Sequence, residues 1–287
     1  MDDHGQPVSY YLKAYPTQRY FSAFSGVPQS SVPSEVPTLA EMGFRASELS
    51  FPPAEADEAI IDSYDETRDR PAIAGTTQVG MHLRHGTLSI RRLARRAQAL
   101  NEVYLSELIW RDFYSQVLQA HPHVVEHSFR REYDEIEWIN DEEGFAAWCD
   151  GRTGYPMVDA GMRQLNATGF MHNRVRMVTA SFLTKHLLTD WRWGERYFAR
   201  KLLDYELASN NGGWQWAAGS GCDAAPYFRV FNPTSQLKKY DPRLEYVRRW
   251  VPEYGTADYP EPIVDHKAAR ERALTTYKRG LATARGR

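Results

Sequence analysis

Ile90-Arg-Arg-Leu-Ala-Arg-Arg-Ala-Gln-Ala-Leu100 sets Ile90, Leu93, Ala97 and Leu100 at three- and four-residue steps, with Arg91, Arg92, Arg95 and Arg96 on the other faces. That spacing is one apolar stripe on a helix, not the alternation of a strand. Tyr104 extends the stripe, and Tyr104, Leu108 and Val117 carry it into a second helix. Residues 160–169, 171–188 and 196–207 give three more helical candidates, each bounded by Gly or Pro. No run of alternating β-branched residues appears, so the pattern predicts an all-α fold with long loops. There is no internal repeat and no low-complexity tract.

Outward from that stretch the pattern weakens. Residues 1–25 read as a short helix or irregular arm. From Gly26 to about Pro53 the chain is rich in Pro and Ser (Pro28, Pro33, Pro37, Pro52, Pro53), which predicts a long surface connection. An acidic helical segment is expected over 54–69, ending near Pro71, with a turn from Gly75 to Thr77. The expected division is an arm at 1–63, a helical domain at 64–253 and a C-terminal tail at 254–287.

The composition, with 42% hydrophobic and 25% charged residues in a chain of 287, is that of a soluble globular protein and excludes a disordered or collagen-like one. Two cysteines, Cys149 and Cys222, cannot build a disulfide framework or a four-thiolate zinc site. No apolar run approaches the roughly 20 residues that span a bilayer, and no secretory signal is readable. A cytoplasmic location without membrane contact is the expectation. Residues 1–70 hold 5 Lys and Arg against 12 Asp and Glu, whereas the remainder holds 30 against 25. A mildly basic body is compatible with a polyanion partner. Aromatics are heavy, at 8 Trp, 17 Tyr and 12 Phe, and many Trp sit among polar residues where they could meet a planar ligand.

Several motifs have plain readings. Gly219-Ser-Gly221-Cys-Asp-Ala224 has dinucleotide-type glycines, but no strand precedes it and Pro226 follows. Those glycines are expected to let a loop pass close to a neighbour. His121-Pro-His123 with His127 lacks a completing carboxylate or thiol and reads as a solvated loop. The Arg91–Arg96 face and the pairs Arg130-Arg131, Lys238-Lys239 and Arg248-Arg249 read first as solvated surface.

Two denser clusters point to a ligand. In Met171-His-Asn-Arg-Val-Arg-Met177, residues Asn173, Arg176 and Met177 share one helical side, a poor core stripe and a plausible lining for a polar aromatic ligand. In Asp204-Tyr-Glu-Leu-Ala-Ser-Asn-Asn-Gly-Gly-Trp-Gln-Trp216, carboxylates, amides, glycines and tryptophans suit a loop that wraps a heterocycle.

These clusters belong to a longer series of motifs: Glu107-Leu-Ile-Trp-Arg-Asp-Phe-Tyr114, Thr153-Gly-Tyr-Pro-Met-Val-Asp-Ala-Gly-Met-Arg-Gln-Leu165, Gly169-Phe-Met-His-Asn-Arg174, Asp190-Trp-Arg-Trp-Gly-Glu195, Asn210-Asn-Gly-Gly-Trp-Gln-Trp216 and Asp223-Ala-Ala-Pro-Tyr-Phe-Arg-Val-Phe-Asn-Pro233. In this order and register, from about Tyr64 to Glu253, the sequence resembles the DNA photolyase/cryptochrome family. The resemblance covers only the family's helical FAD-binding domain. It implies that the α/β antenna domain, with any antenna pigment, is absent.

By that resemblance FAD sits U-shaped in the helical domain. Tyr64, Thr76, Thr77, Gln78, Val79 and Gly80 would hold phosphates and ribose. Arg176, Asp204, Glu206 and Asn210 would surround the isoalloxazine and its neighbours, with Asn210 near N5, and Phe170 and Tyr205 would complete the cofactor contacts. The substrate implied is a cyclobutane pyrimidine dimer in damaged double- or single-stranded DNA. Its extrusion from the duplex is a known property of photolyases and is taken over from the family. Glu107 would bond the dimer and Trp110 and Trp216 would stack on it. Asn173, Arg174 and Met177 would line the pocket, with Arg111 and Tyr114 on the same side, and Arg68 and Arg174 would meet phosphate. Trp214, Trp191 and Trp138 fall where the family carries an electron relay to the flavin, a register supported by the 10-residue step from Trp138 to Trp148.

Four departures stand out against the dimer-repairing group. Phe170 and Tyr104 occupy positions where Trp is usual or common, Glu206 replaces Asp, and Gln78-Val79-Gly80 replaces Arg-Leu-Ser. Met171-His172 lacks the paired histidines of the (6-4) repair group, which favours cyclobutane dimers. The expected activity is light-driven dimer repair by a monomeric enzyme. The rivals are a cryptochrome-like light or redox sensor and a flavin-free nucleic-acid-binding module, which would purify colourless.

Overall fold

A computed structural model describes residues 37–45, 51–224 and 226–286, so the arm expected over 1–25 lies outside the described residues. The chain divides into a unit at 1–52 and a larger one at 53–287. In the first, residues 37–45 form a turn in which the Thr38 amide and hydroxyl donate to the Glu41 carboxylate at 2.7 and 2.9 Å.

The second unit is helical, with no strand among the described residues. The acidic segment forms two short helices, α1 (Glu58–Asp62) and α2 (Tyr64–Thr67), instead of one. They break at Ser63, whose hydroxyl donates to the Ala59 carbonyl at 2.8 Å and so competes for the helical bonding pattern. Helix α3 (Gly80–His85) ends at Gly86 in the left-handed conformation. Helix α4 (Ile90–Leu100) is capped by Ser89, and α5 (Glu102–Ala120) by Asn101, whose carboxamide oxygen accepts from the amides of Val103 and Tyr104. Leu93 and Ala97 of α4 meet Tyr104 and Leu108 of α5 in a small core with Ala56, Ile61 and Val79. The stripe that opens the sequence reading is the inner face of this lobe.

The larger core is built from α6 (Glu142–Cys149), α7 (Pro156–Thr168), α8 (Asn173–Ser181), α9 (Trp191–Lys201), α10 (Leu207–Ala218), α11 (Pro233–Tyr240) and α12 (Glu245–Trp250). Trp148, Met157, Met162, Phe182, Trp191, Phe198 and Trp214 are almost wholly buried in it. Burying each such side chain contributes about 1.5–3 kcal/mol, which is why these helices hold whatever lies on their surface in place.

Three expectations are corrected here. The helix expected over 171–188 starts at Asn173, because the His172 imidazole accepts from the Arg174 amide as a cap; after Ser181 it widens into a π-turn, Phe182–His186. The helix expected over 196–207 starts five residues earlier, where Asp190 caps Trp191, and stops at Lys201. The Asp204–Trp216 cluster is not a wrapping loop: from Leu207 onward it is α10, and its two glycines are interior to the helix. Two interior glycines cost about 1 kcal/mol each, so packing must repay them.

Residues 254–287 carry the long helix α13 (His266–Arg285), packed against the turn Arg131–Glu135 and the π-turn, with Ala269, Ala273, Tyr277 and Gly280 buried. Two imidazoles join there, His186 Nε2 and His266 Nδ1 at 2.8 Å, and Arg272 donates to the His186 carbonyl at 2.6 Å.

Candidate functional site

A cavity of about 410 Å³ opens between α5, α8, α9 and α10. Its wall takes Glu107, Trp110, Arg111 and Tyr114 from α5, Asn173, Arg176, Met177 and Ala180 from α8, and Phe198 from α9. Ser209, Asn210, Gly213, Trp214 and Trp216 come from α10, with Arg68, Leu202, Asp204, Tyr205, Glu206 and Asp223 from the connections. Asn173, Arg176/Met177 and Ala180 follow the three- and four-residue step, so the polar face expected on this helix does point into one space. The glycines of α10 divide the work. A Cβ on Gly212 would stand 2.1 Å from the Tyr114 ring, whereas a Cβ on Gly213 would meet nothing within 4 Å and would occupy the cavity itself.

The charged centre is Arg176 with Asp204. The Arg176 Nη2 donates to both carboxylate oxygens at 3.0 and 2.8 Å, and its Nε to the Met171 carbonyl at 2.7 Å. This is a half-buried, charge-assisted pair of fixed geometry. Glu206 caps α10, accepting from the Ala208 and Ser209 amides and the Ser209 hydroxyl at 2.8–3.0 Å. Burial works to raise its carboxyl pKa, and those bonds outweigh it and bring the pKa below the ordinary value. The Glu206 carboxylate is therefore held charged by two helix amides and a hydroxyl.

Asn210 donates from Nδ2 to the Glu195 main-chain carbonyl at 3.1 Å and to its Oε1 at 2.8 Å. A main-chain carbonyl can only accept, so the amide is held with its nitrogen toward α9 and its oxygen left to meet a ligand. Burial raises the Glu195 carboxyl pKa, opposed by the bond from Asn210.

At the mouth, Arg68 and Glu107 form an ion pair at 2.6 Å, with Arg68 also over the Tyr64 ring at 5.3 Å. Trp110, 38% exposed, packs against Phe113 and Tyr114, and burial pushes the Tyr114 hydroxyl up to about 12.

Ten of the expected residues do not line this cavity: Tyr64, Thr76, Thr77, Gln78, Val79, Gly80, Phe170, Arg174, Trp138 and Trp191. Tyr64 meets Tyr104 edge-on at 5.0 Å, Thr77 bonds the Tyr104 hydroxyl at 2.8 Å, and Val79 is buried in the small core. Gln78 has φ of 52°, an unusual value for a side-chain-bearing residue. Gly80 links this segment to the cavity, since a Cβ there would lie 3.2 Å from Asp204 Cβ. Phe170 follows the left-handed Gly169, with its amide on Thr168 Oγ1 at 3.1 Å. Arg174 is committed to Asp69 at 2.7 Å and stacks on Tyr240 at 4.4 Å.

Of the three tryptophans, Trp214 faces the cavity, 2% exposed, with its ring 5.0 Å from Phe198 and 6.0 Å from Trp148. Trp191 is buried in the same core, with the Arg192 guanidinium 4.7 Å from its ring centroid. Trp138 bridges the large core and the α13 contact, edge-on to Tyr277 at 5.9 Å.

Sequence reasoning missed Ala180, Phe198, Leu202, Ser209, Gly213 and Asp223 as wall residues. Ala180 and Gly213 were recoverable, one step of three from Met177 and Asn210. Phe198 and Leu202 carry no such signal, because an apolar wall residue looks like core. The Gly219–Gly221 segment is the expected close-passing loop: Gly219, at φ of 93°, ends α10, and the amides of Gly219, Ser220 and Gly221 all donate to the Gln215 carbonyl.

Residues 104–256 match the family model described as the FAD binding domain of DNA photolyase. The chain is 48% identical over 244 residues to the deoxyribodipyrimidine photo-lyase of Escherichia coli, covering 75% of this chain and 52% of that protein. Among solved structures, a class III photolyase from Agrobacterium tumefaciens superposes with a TM-score of 0.73 at 42% identity, over 77% of this chain and 53% of that one. A cryptochrome from Synechocystis superposes with 0.71 at 31% identity, over 84% and 60%. The chain thus spans about half the length of the curated relatives it matches.

Proposed function

Because the chain belongs to the DNA photolyase family through its FAD-binding domain, we propose that the cavity binds FAD and that the protein uses it to split cyclobutane pyrimidine dimers in DNA under light. One observation carries this reading. The groups assigned to cofactor (Arg176, Asp204, Glu206, Asn210) and those assigned to the dimer (Glu107, Trp110, Asn173, Met177, Trp216) line one cavity. The residues fit a flavin: open space stands over Gly213, a fixed Arg–Asp pair and a carboxamide oxygen offer ring contacts, and Met177, Phe198 and Trp214 supply apolar walls.

Bound FAD supplies light absorption and a transferable electron; the protein supplies binding, orientation and electrostatics. Arg176 and Asp204 would bond the polar edge of the ring system, and Asn210 would offer its carboxamide oxygen to it. Tyr64 and Thr76–Gly80 take the phosphates and ribose, supported by the approach of Gly80 to Asp204. On the dimer side, Glu107 leaves Arg68 and accepts from the pyrimidine edge while Arg68 turns to phosphate. Trp110 and Trp216 stack on the extruded bases, where each aromatic contact is worth roughly 1–3 kcal/mol. Trp214, Trp191 and Trp138 would carry electrons through the protein toward bound FAD. The partner is damaged DNA and the active form a monomer.

A light or redox sensor is the second reading, favoured by the likeness to a cryptochrome. The FAD-loaded, chemically reduced protein is illuminated with an oligonucleotide bearing one thymine dimer, and intact dimers are counted by chromatography. Light-dependent loss of dimers is the expected result. Retained dimers with normal flavin absorption would transfer the assignment to the sensor.

A further inference from the structure

Helices α9 and α10 approach most closely where Gly194 faces Trp214. A Cβ built on Gly194 would stand 2.0 Å from Cη2 of that indole, 2.5 Å from Cζ3 and 2.6 Å from Cζ2, so the six-membered ring lies directly on the α9 backbone. On its other sides the ring is held edge-on by Phe198, at 5.0 Å and 75°, and by Trp148, at 6.0 Å and 70°. Phe198 is four residues on from Gly194 along α9, and Trp191 is three residues before it. One helix therefore carries the ring's floor, one of its walls and the next tryptophan of the assigned relay.

We infer that Gly194 is a positioning residue for electron transfer: the missing side chain seats the Trp214 indole against α9 and so fixes its spacing both from the cavity and from Trp191. This rests on the relay assigned above. The indole cannot move toward α9, because backbone is already there, and any side chain at 194 would drive it outward, into the cavity it lines. Interior packing at crystal-like density leaves no other room. A glycine inside a helix costs about 1 kcal/mol relative to alanine, a cost that the seating of a large aromatic offsets.

The test uses the FAD-loaded full chain carrying Gly194→Ala, with Trp214→Phe and the double variant beside it. Four quantities are read: light-driven reduction of oxidised FAD, dimer repair after chemical reduction, FAD affinity and Tm. Gly194→Ala is expected to slow photoreduction severalfold beyond any change in repair, because the displaced indole changes its spacing from both neighbours in the relay. The double variant, with the smaller ring, is expected to regain the Tm and FAD affinity that Gly194→Ala loses. Photoreduction at the parent rate in a flavin-loaded Gly194→Ala protein would overturn the proposal. If Gly194→Ala loses FAD, the double variant decides: recovery supports the seat, and no recovery overturns it by placing the fault in the backbone. Unchanged photoreduction in Trp214→Phe alone would remove the relay and with it overturn the proposal, whatever the Tm of the double variant.

Discussion

The two sides of the cavity are built differently. The α8–α10 wall is backed by the large core, and three of its polar groups are tied: Arg176 to Asp204 and Met171, Asn210 to Glu195, Glu206 to the start of α10. The segment Tyr64–Gly80 belongs to the small lobe, whose core is seven buried residues, and it touches the site through Arg68, paired with Glu107 at the mouth, and where Gly80 meets Asp204. The wall that meets the ring system is rigid because it is the outer face of a core, whereas the segment assigned to phosphates depends on short helices and backbone. The departures from the family pattern follow the same division. Gln78-Val79-Gly80 lies on the lighter side, where a lost side chain can be replaced by main-chain contacts, and Glu206 keeps a carboxylate on the heavier one.

The largest effect expected on this contrast comes from the rigid wall. Asp204→Ala strips the partner from a guanidinium that is 28% exposed. Breaking a fully buried pair costs about 3–5 kcal/mol, and the partial exposure here reduces that to about 2. FAD affinity, followed by flavin fluorescence, is expected to fall about 30-fold; a change under threefold would place the cofactor elsewhere.

Next in size is a pH effect from the core behind that wall. Burial, with His266, Arg272 and Lys185 nearby, holds His186 at about 3 against an ordinary 6.5. The folded state therefore refuses a proton that the unfolded chain accepts. Stability is full above pH 6.5 and is lost as the pH falls from there toward 3. Between pH 6.5 and 5 the loss is about 2 kcal/mol, or some 4–8 °C in Tm by calorimetry. A Tm flat over that interval would mean that His186 is solvated.

Glu206→Ala removes a helix cap worth about 1 kcal/mol and should lower Tm by about 2–4 °C, with Glu206→Asp closer to the parent. An Asp variant no better than Ala would show that only the longer side chain reaches the amides. The smallest effect belongs to the lobe: Gly80→Ser, returning the family's hydroxyl, should change FAD affinity about fivefold at most, the ~1 kcal/mol of an ordinary substitution, because the new Cβ would press on Asp204 from 3.2 Å. A tenfold change would make the lobe as decisive as the core wall and erase the contrast.

How far the sequence could be read follows physical lines. Helices with a continuous apolar stripe, such as Ile90–Leu100, were legible in type, because burial enforces the period, but the stripe ran on to Tyr104 and hid the break at Asn101. Boundaries set by side-chain caps were not. His172 and Glu206 are not preferred capping residues, and only the folded geometry shows their oxygens and nitrogens on helix amides. The helical state of Asn210–Trp216 was hidden for a related reason: Gly212 and Gly213 argue locally for a loop, and the Tyr114 ring that repays Gly212 is about a hundred positions away in sequence. Polar wall residues were largely legible, since an Asn or Arg on an inward face has no packing rationale. Phe198 and Leu202 were not, since lining a cavity and filling a core demand the same side chains.

The most direct measurement is an equilibrium titration of the flavin-free chain with FAD, followed by the visible absorption and fluorescence of the flavin, beside the Asp204→Ala variant. One FAD per chain with altered flavin bands, and a roughly 30-fold weaker isotherm for the variant, is the predicted result. Flavin that stays spectroscopically free, or binding indifferent to Asp204, would contradict the assignment of the cavity and the light-driven chemistry built on it.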